Sequence, residues 1–428
     1  MHSTAEVAVP LAKMRKNAFA GAVGNVMEWY DFAAYAYMAP YIGQLFFPSD
    51  DPFTSLLATY GAFAAGYLSR PFGALIFGHI GDKISRKLVL FLSVSLMGIA
   101  TVLIGLLPVH SQIGSLAAVA LIVLRILQGL SVGGEYTGST TFVVEYAPSN
   151  RRAFYTSWIL CGAAGGFLLG SASATLLANL LDESQILDWA WRIPFLFGGV
   201  IGLLAVFLRS HIAEPPAPEY QEEWQRSPVV VAFTDHWRDM LKVIGLTLSA
   251  SVGFYMMFVY AVTYLIERMH VSTAAAMDIN TLCMVVLTVL PLPIAMLSDR
   301  IGRKPILLTG TLGILVLSWP LFWLMHHQDL TMILIGQLGF AILFSWIYAA
   351  NSATMAEILS RRVRVSVLSI GYNICLSVFG GTTPLVATYL VERTADDFAP
   401  VYYLMGLSVI SLLTVLSIPE TKGKPLRP

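Results

Sequence analysis

About twelve apolar stretches, most of them long enough to cross a membrane as a helix, follow one another along this chain and leave few other folds open to it. A crossing needs about 20 mostly apolar residues, because the hydrocarbon layer is about 30 Å thick and each helical residue adds about 1.5 Å. Only 12% of the residues are charged, against about 25% in soluble domains. We therefore predict an all-α membrane protein with spans near 18–46, 53–80, 87–108, 114–146, 152–181, 190–209, 240–266, 274–298, 305–326, 330–357, 363–391 and 399–418.

The charges of the connections predict the orientation of these spans. Arginine and lysine cluster in alternate connections, beginning with Arg15 and Lys16 before the first span. The intervening connections carry mainly acidic residues and histidine, for example Asp50, Asp182 and Asp396. Because basic loops stay in the cytoplasm, we expect both termini to be cytoplasmic.

One long polar connection, residues 210–239, divides the chain into two halves, 1–209 and 240–428, of six spans each. It contains three prolines and several glutamates, which is typical of a linker on the cytoplasmic side. A short loop motif supports the division, because Asp82-Lys83-Ile84-Ser85-Arg86-Lys87 returns as Asp299-Arg300-Ile301-Gly302-Arg303-Lys304. Folds built from such repeats hold the substrate near the middle of the membrane, between the halves.

Two carboxylates lie deep inside the first span. If the span is helical, Asp31 is about 22 Å beyond Lys16, close to the middle of the hydrocarbon layer. An ionisable group at that depth costs about 3 kcal/mol on insertion scales, so its presence indicates function. Glu28 lies three residues earlier and therefore shares a helix face with Asp31.

Several longer motifs carry a family resemblance. They are Gly24-Asn25-x-x-Glu28-Trp29-Tyr30-Asp31-Phe32, Arg70-Pro71-Phe72-Gly73, Arg125-x-x-Gln128-Gly129-x-x-x-Gly133-Gly134-Glu135-Tyr136, Glu145-Tyr146-Ala147-Pro148 and Tyr372-Asn373. With the repeated loop motif, they resemble the metabolite:proton symporter family of the major facilitator superfamily. The resemblance implies two pseudo-symmetric six-helix bundles in a bacterial inner membrane. Members of that family import citrate, tricarballylate, 2-oxoglutarate, shikimate, proline or betaine.

The repeated loop motif predicts a gate on the cytoplasmic side. An aspartate at the end of one helix can accept hydrogen bonds from the N-terminus of another, where the helix dipole is positive. We expect such contacts, with ion pairs beside them, to close this side and to break when it opens. The ordinary alternative is a set of loop charges that only fixes orientation. The predicted helix contacts are those of Asp82 with the helix start near Arg362 and Arg364, and of Asp299 with the helix start near Arg152. The predicted ion pairs are Arg86 with Glu145 and Arg303 with Glu357.

Proton coupling is predicted for Asp31 with Arg125 as its partner. Arg125 lies at a similar depth in the fourth span, and an unpaired arginine there would be costly. Resemblance to the sugar-porter branch of the superfamily implies an equivalent pair, and a purely structural ion pair is the alternative. Glu28 and Glu135 are competing carboxylates, either of which could pair with Arg70 or line the cavity.

Arg70 is the predicted anchor for the substrate. It lies about 18 Å into the membrane, and the following Pro71 interrupts the helix ladder there. A planar guanidinium suits a carboxylate, although an ion pair with Glu28 or Glu135 is the alternative. The other predicted substrate-binding residues are Tyr372, Asn373, Tyr255, Asn25 and Gln128.

These predictions describe a secondary transporter that imports an organic acid, such as a di- or tricarboxylate, by proton symport with alternating access. Arginine in the cavity and a short tail after Pro419 favour an acid. The alternatives are a proline/betaine-type osmolyte symporter and a siderophore or drug exporter. A nontransporting sensor would be a different class of protein. Coupling to sodium instead of protons stays open.

Other function classes find little support. The chain contains no nucleophile–base pair, metal-ligand spacing or phosphate loop, so we expect neither an enzyme nor a cofactor. Its net charge of zero argues against a nucleic-acid partner. We expect a monomer in contact with lipid, binding a small anionic substrate and a proton.

Overall fold

The structure is a computed structural model that describes residues 25–83, 86–132, 135–210 and 228–427, with the side chains of 77–83, 86–90, 135, 208–210 and 228–229 left out. Twelve helical rods account for most of these residues. In chain order they are α1 (25–37 and Ala39–Phe46), α2 (Pro52–Leu68 and Arg70–Lys83), α3 (Arg86–Leu106), α4 (Leu116–Ser131 and Glu135–Tyr146), α5 (Arg152–Leu180), α6 (Ile193–Ser210), α7 (Trp237–Tyr255, Met256–Tyr260 and Ala261–Glu267), α8 (Thr273–Val289 and Pro291–Ile301), α9 (Arg303–Met325), α10 (Leu330–Glu357), α11 (Arg364–Cys375, Leu376–Gly380 and Thr383–Thr394) and α12 (Ala399–Ser417).

Within the described residues, nine of the rods, α4 to α12, are long and apolar enough to cross a membrane. The other three, α1 to α3, each adjoin residues outside the description. Short helices at His110–Ile113, Glu183–Asp188 and Pro228–Thr234 lie in the connections. The predicted all-α membrane fold with about twelve spans is confirmed.

Several rods are interrupted where the sequence removes or displaces backbone hydrogen bonds. The first segment of α2 ends before Ser69, next to Pro71, and α8 breaks at Leu290 before Pro291. Proline lacks the N–H that would continue the ladder. α7 and α11 instead contain π-helical turns at Met256–Tyr260 and Leu376–Gly380. The break in α2 starts its second segment at Arg70, which places that residue at the bend.

The rods pack as two six-helix bundles that meet along their inner faces. In the first bundle α3 packs on α4 and α6, and in the second α9 packs on α10 and α12. Across the interface α5 packs on α8 and α10, and α2 and α4 contact α11. The predicted linker 210–239 stays a prediction because 211–227 lie outside the description. The next rod, α7, begins at Trp237.

Small residues allow the rods to approach closely. Gly166 of α5 faces the backbone of α1, and a Cβ at this position would lie 2.4 Å from the carbonyl oxygen of Val26 and 2.9 Å from the nitrogen of Tyr30. The preceding Gly165 faces open space, with nothing within 4 Å of the equivalent position. Gly166 is therefore required by the contact between α1 and α5, whereas Gly165 is not.

We expect Gly166→Ala to destabilise the protein, because the added methyl group forces α1 away from α5. Overpacking of this kind costs about 1–3 kcal/mol, which should lower the thermal unfolding midpoint of the detergent-purified protein by several degrees. Gly165→Ala is the matched control and should leave the midpoint unchanged or raise it. Equal midpoints for the two variants would contradict the packing of α1 on α5.

Candidate functional site

A buried ion pair joins α1 and α2 in the middle of the first bundle. Arg70 Nη2 lies 2.9 Å from Glu28 Oε1, and both side chains are at most 4% exposed. This is the arrangement given above as the alternative to direct substrate contact by Arg70. Nη1 of Arg70 is buried and has no hydrogen-bond partner among the described residues. One edge of the guanidinium is therefore hydrogen-bonded to Glu28, and the other edge has a donor that could bind a further group.

Aromatic rings surround the Arg70 guanidinium. Its central carbon lies 5.5 Å from the ring centres of Trp29, Phe32 and Tyr67. Cation–π attraction of this kind is worth about 0.5–2 kcal/mol, more where water is excluded. The rings thus offset part of the cost of burying the charge, and they provide surfaces on which a second cation could stack.

The second bundle contributes polar groups from α11 and α7. Asn373 Oδ1 accepts a 3.4 Å hydrogen bond from Arg70 Nε. Tyr372 stacks on Tyr136 of α4 with ring centres 4.9 Å apart. Tyr255 of α7 donates to the hydroxyl of Tyr67 at 2.7 Å. Three of the predicted substrate-binding residues, Tyr372, Asn373 and Tyr255, thus lie beside the Arg70 cluster or its aromatic neighbours. Asn25, a fourth, is fully buried one helical turn before Glu28.

Asp31 lies on the same helix as Glu28 but belongs to a separate group. Its Oδ2 accepts a 2.8 Å hydrogen bond from the Thr101 hydroxyl of α3, and its Oδ1 has no partner among the described residues. No direct ion pair with Arg125 forms within this part of the chain. Gln128 stands between them, accepting from Arg125 Nη1 and donating to Thr101 Oγ1, both at 2.7 Å.

This geometry corrects the expected direct pairing of Asp31 with Arg125. The direct contact between Asp31 and Arg125 is replaced by the bridge of Thr101 and Gln128, while Arg125 lies among aromatic rings. Its guanidinium carbon lies 4.3 Å from the ring centre of Tyr35, with further rings around it. Gln128, which was predicted to bind substrate, lies in this bridge with both polar atoms of its amide engaged, and its part in substrate binding stays a prediction.

The site is closed from both ends in this conformation. Asp31, Arg125 and Gln128 are fully buried. Toward one end, Tyr60 of α2 is hydrogen-bonded to Thr263 of α7 at 2.6 Å. Toward the other, Tyr136 of α4 is hydrogen-bonded to Ser352 of α10, with the oxygens 2.7 Å apart. Contacts between the two bundles therefore cover the site on either side.

Another charged cluster lies at one end of the molecule, where the chain passes from α8 to α9 and from α10 to α11. We call this end the basic end, and it comprises residues 300–304, 358–364 and 418–427. Asp299 accepts from the backbone N–H groups of Ala153 and Phe154, at 3.1 and 2.9 Å. These N–H groups lie in the first turn of α5, where helix donors are free and the dipole is positive. Asp299 therefore joins the second bundle to the first.

Arginine–carboxylate pairs surround this contact. Arg303 pairs with Asp299 at 2.7 Å and with Glu357 at 3.2 Å. Arg152 lies 3.9 Å from Glu357. Arg364 pairs with Glu145 of α4 at 2.7 Å. These contacts bring most of the predicted gating residues together at the basic end.

Some predicted residues give no test. The side chains of Asp82, Arg86 and Glu135 lie outside the description. The expected contacts of Asp82 with the start of α11 and of Arg86 with Glu145 therefore stay predictions. Arg362 is exposed beside Arg364. In the described residues, no group of three or more His, Cys, Asp or Glu side chains could hold a metal ion.

The sequence analysis missed Glu420, which lies just after α12. Its carboxylate accepts from the backbone N–H groups of Arg303 and Lys304, at 3.0 and 2.9 Å, at the start of α9. Burial alone would raise the pKa of Glu420, but backbone N–H groups, those of Arg303, Lys422 and Lys304 among them, outweigh it and hold the pKa below its usual range. Glu420 therefore stays ionised at neutral pH.

Gly302 makes room for that carboxylate. Its φ of 123° is in the region that favours glycine, and a Cβ there would lie 2.6 Å from Glu420 Oε2. The neighbouring Thr421 hydroxyl donates to Glu357 at 2.6 Å, and Arg152 donates to the carbonyl of Lys424 at 2.9 Å. A proline followed by a glutamate just beyond the last apolar span is the signal that could have directed attention to this segment.

Comparisons with known proteins identify relatives over the whole chain. The sequence profile of the Major Facilitator Superfamily matches residues 21–290, and that of the Sugar (and other) transporter family matches residues 220–427. The chain is 35% identical to the proline/betaine transporter of Salmonella typhimurium, over 97% of this chain and 85% of that protein. It is 36% identical, with the same coverage, to the glycine betaine/proline/ectoine/pipecolic acid transporter OusA of Dickeya dadantii.

Solved structures show the same architecture at lower sequence identity. The proton:xylose symporter XylE bound to 6-bromo-6-deoxy-D-glucose superposes with a TM-score of 0.74 and 18% identity, over 98% of each chain. A second structure, of the D-xylose-proton symporter, gives 0.73 and 19%, over 96% of this chain and 99% of that one. The chain is a secondary transporter and not an enzyme, and it belongs to the major facilitator superfamily.

Proposed function

We propose that this transporter imports a zwitterionic osmolyte of the proline or betaine type by proton symport. The relatives named above carry such solutes, which favours the osmolyte alternative over the organic acid expected from the sequence. One structural observation supports the same choice. The arginine that was expected to bind an anion is paired with Glu28 inside an aromatic cluster.

Charge balance at this pair argues for a substrate without net charge. Arg70 and Glu28 neutralise each other, and leaving one member of a buried pair without its partner costs about 3–5 kcal/mol. A zwitterion can replace both partners at once, with its carboxylate on Arg70 and its cationic nitrogen near Glu28. A di- or tricarboxylate would satisfy Arg70 only and would add negative charge beside Glu28.

The neighbouring groups suit the two ends of such a substrate. Within the described part of the chain, Nη1 of Arg70 is a buried donor without a partner, and Asn373 lies on the opposite side of the guanidinium. The cationic nitrogen would meet aromatic faces, since Trp29 lies in edge contact with Tyr136, which in turn stacks on Tyr372. Rings attract quaternary ammonium groups without needing a hydrogen bond from them. Betaine and proline can therefore share one site.

The proton is assigned to Asp31 in this proposal. Asp31 is fully buried and has no ion-pair partner among the described residues, so the free energy of its ionised form depends on the Thr101 hydroxyl that donates to it and on the nearby charge of Arg125. The contacts of Asp299 and Glu145 at the basic end would break when that end opens. Proton and substrate would then leave together on the cytoplasmic side.

We expect glycine betaine or proline, and not citrate, to raise the melting temperature of the purified protein. A ligand that binds only the folded state stabilises it by mass action. Arg70→Lys should abolish this shift, because an ammonium group cannot replace the two-sided contacts of the guanidinium. Arg192→Lys is the matched control, since Arg192 donates to the carbonyls of Gly105 and Leu107, away from the site, and should keep the shift.

A shift with citrate but not with betaine or proline would contradict the substrate assignment. Glu28→Gln further distinguishes a zwitterionic substrate from an anionic one. Removing the negative partner should weaken betaine binding and improve binding of simple carboxylates, because Arg70 then carries an unbalanced positive charge. Unchanged selectivity in Glu28→Gln would contradict the charge-balance argument.

Asp31→Asn should abolish accumulation driven by a pH gradient in proteoliposomes while sparing substrate counterflow, because the neutral amide cannot release a proton. The control is Asp278→Asn, which alters an exposed carboxylate hydrogen-bonded to Asn179 and should preserve both activities. Accumulation driven by a sodium gradient instead would reassign the coupling ion. Equal loss of counterflow and accumulation in a folded Asp31→Asn protein would make Asp31 structural or substrate-binding.

Asp299→Asn should favour opening at the basic end, because the amide is a weaker acceptor for the start of α5 and loses its charge interaction with Arg303. Spin labels at exposed Tyr146 and Arg361, one on each bundle, would then report a longer distance. Asp329→Asn changes a helix-capping aspartate within the second bundle, where it accepts from Thr331, and should leave the distance unchanged. An unchanged distance in Asp299→Asn would remove this contact from the gate.

A further inference from the structure

A continuous chain of hydrogen bonds leads from Arg125 to Asp31. Arg125 Nη1 donates to Gln128 Oε1, Gln128 Nε2 donates to Thr101 Oγ1, and the Thr101 hydroxyl donates to Asp31 Oδ2. The three distances are 2.7, 2.7 and 2.8 Å. Every donor points toward the carboxylate, and all four side chains are fully buried. Such chains polarise one another and stabilise a charge at their end.

The Thr101 hydroxyl has a second acceptor within reach. Its oxygen lies 2.9 Å from the carbonyl oxygen of Met97, one turn earlier in α3, and 2.8 Å from Asp31 Oδ2. A hydroxyl group has one proton and can donate it to one acceptor at a time, while its lone pairs can accept from others. Thr101 can therefore face Asp31 as a donor, or face Met97 as a donor while accepting from Asp31.

We propose that Thr101 and Gln128 are positioning residues of the proton step, in which the Thr101 hydroxyl switches between these two acceptors. When Asp31 is ionised, Thr101 donates to it and the chain is directed at the negative charge. When Asp31 takes up a proton from the medium, the new O–H donates to Thr101, whose own proton turns to the Met97 carbonyl. The negative charge at the end of the chain is gone, and the hold on Arg125 weakens.

The hydrogen bond with Thr101 is the main polar contact of Asp31 in its described surroundings. Among the described side chains, α4 contributes the charge of Arg125, α3 contributes the hydroxyl of Thr101, and Tyr30 is an ionisable neighbour on α1 itself. α6 presents Gly198, where a Cβ would lie 2.9 Å from Asp31 Oδ1 and 2.8 Å from the Thr101 methyl carbon. A side chain at position 198 would displace both groups, so this glycine leaves room for the hydrogen bond between Thr101 and Asp31.

This inference rests on the proposed function, because it needs Asp31 to be the proton site. The experiment measures uptake of glycine betaine by proteoliposomes as a function of external pH, with counterflow at fixed pH as the measure of intact substrate binding. Thr101→Val keeps the shape of the side chain and removes the hydroxyl. We expect the midpoint of its pH profile to rise by about one unit, the size of one lost hydrogen bond to a charged group, with counterflow preserved.

Two variants separate the switch from packing. Thr101→Ser restores the hydroxyl and should restore the midpoint. Thr311→Val removes a similarly buried hydroxyl of α9 that donates to a carbonyl of its own helix, and should leave the midpoint unchanged. Thr101→Ala removes the same hydroxyl with a smaller side chain, and it replaces Thr101→Val if that variant fails to fold.

The outcomes are distinguishable. An unchanged midpoint in Thr101→Val, with pH dependence lost in Asp31→Asn, would overturn the switch and leave the proposed function standing. Persistence of the pH dependence in Asp31→Asn would overturn the assignment of the proton to Asp31, and the switch with it. A midpoint that rises equally in Thr101→Val and Thr101→Ser would assign the effect to packing and also overturn the switch.

Discussion

The pair formed by Arg70 and Glu28 is the interaction on which the candidate site depends. Both groups are buried between helices, where each charge alone would be costly, and they are held 2.9 Å apart. The pair keeps the closed site electrically neutral while no substrate is present. It also holds the bend of α2 against α1, and through Asn373 it reaches α11 of the other bundle. In the function proposed above, an entering substrate compensates both charges, so that the pair governs selectivity as well as structure.

Two further charged clusters are kept apart from this pair. Asp31 and Arg125 form a separate group within the first bundle, connected through Thr101 and Gln128. At the basic end, Asp299 and Glu420 accept hydrogen bonds from the first turns of α5 and α9. Asp299 is buried and Glu420 is partly buried, so water must enter this end before either carboxylate can leave its helix start. This division suits a transporter in which substrate binding, proton binding and gating are coupled through helix movement.

The sequence predicted the parts of this arrangement that depend on local composition. Apolar length and loop charge were enough for the twelve spans, and the repeated motif was enough to predict the Asp299 and Arg303 contacts. The depth of Arg70 and Glu28 predicted their burial, and their pairing was one of two alternatives. Contacts that depend on helix rotation could not be predicted. Thr101 is an ordinary residue in an apolar span, and only the packing of α3 on α1 and α4 shows that it bridges Asp31 and Gln128.

The central claim is that a zwitterion replaces the contact between Arg70 and Glu28. The most direct test is an experimental structure of the protein with glycine betaine bound. The account predicts the carboxylate of the ligand on the Arg70 guanidinium, its ammonium group against the rings of Trp29, Tyr136 or Tyr372, and Arg70 separated from Glu28. A bound ligand elsewhere in the molecule, with the distance between Arg70 and Glu28 still near 2.9 Å, would contradict it.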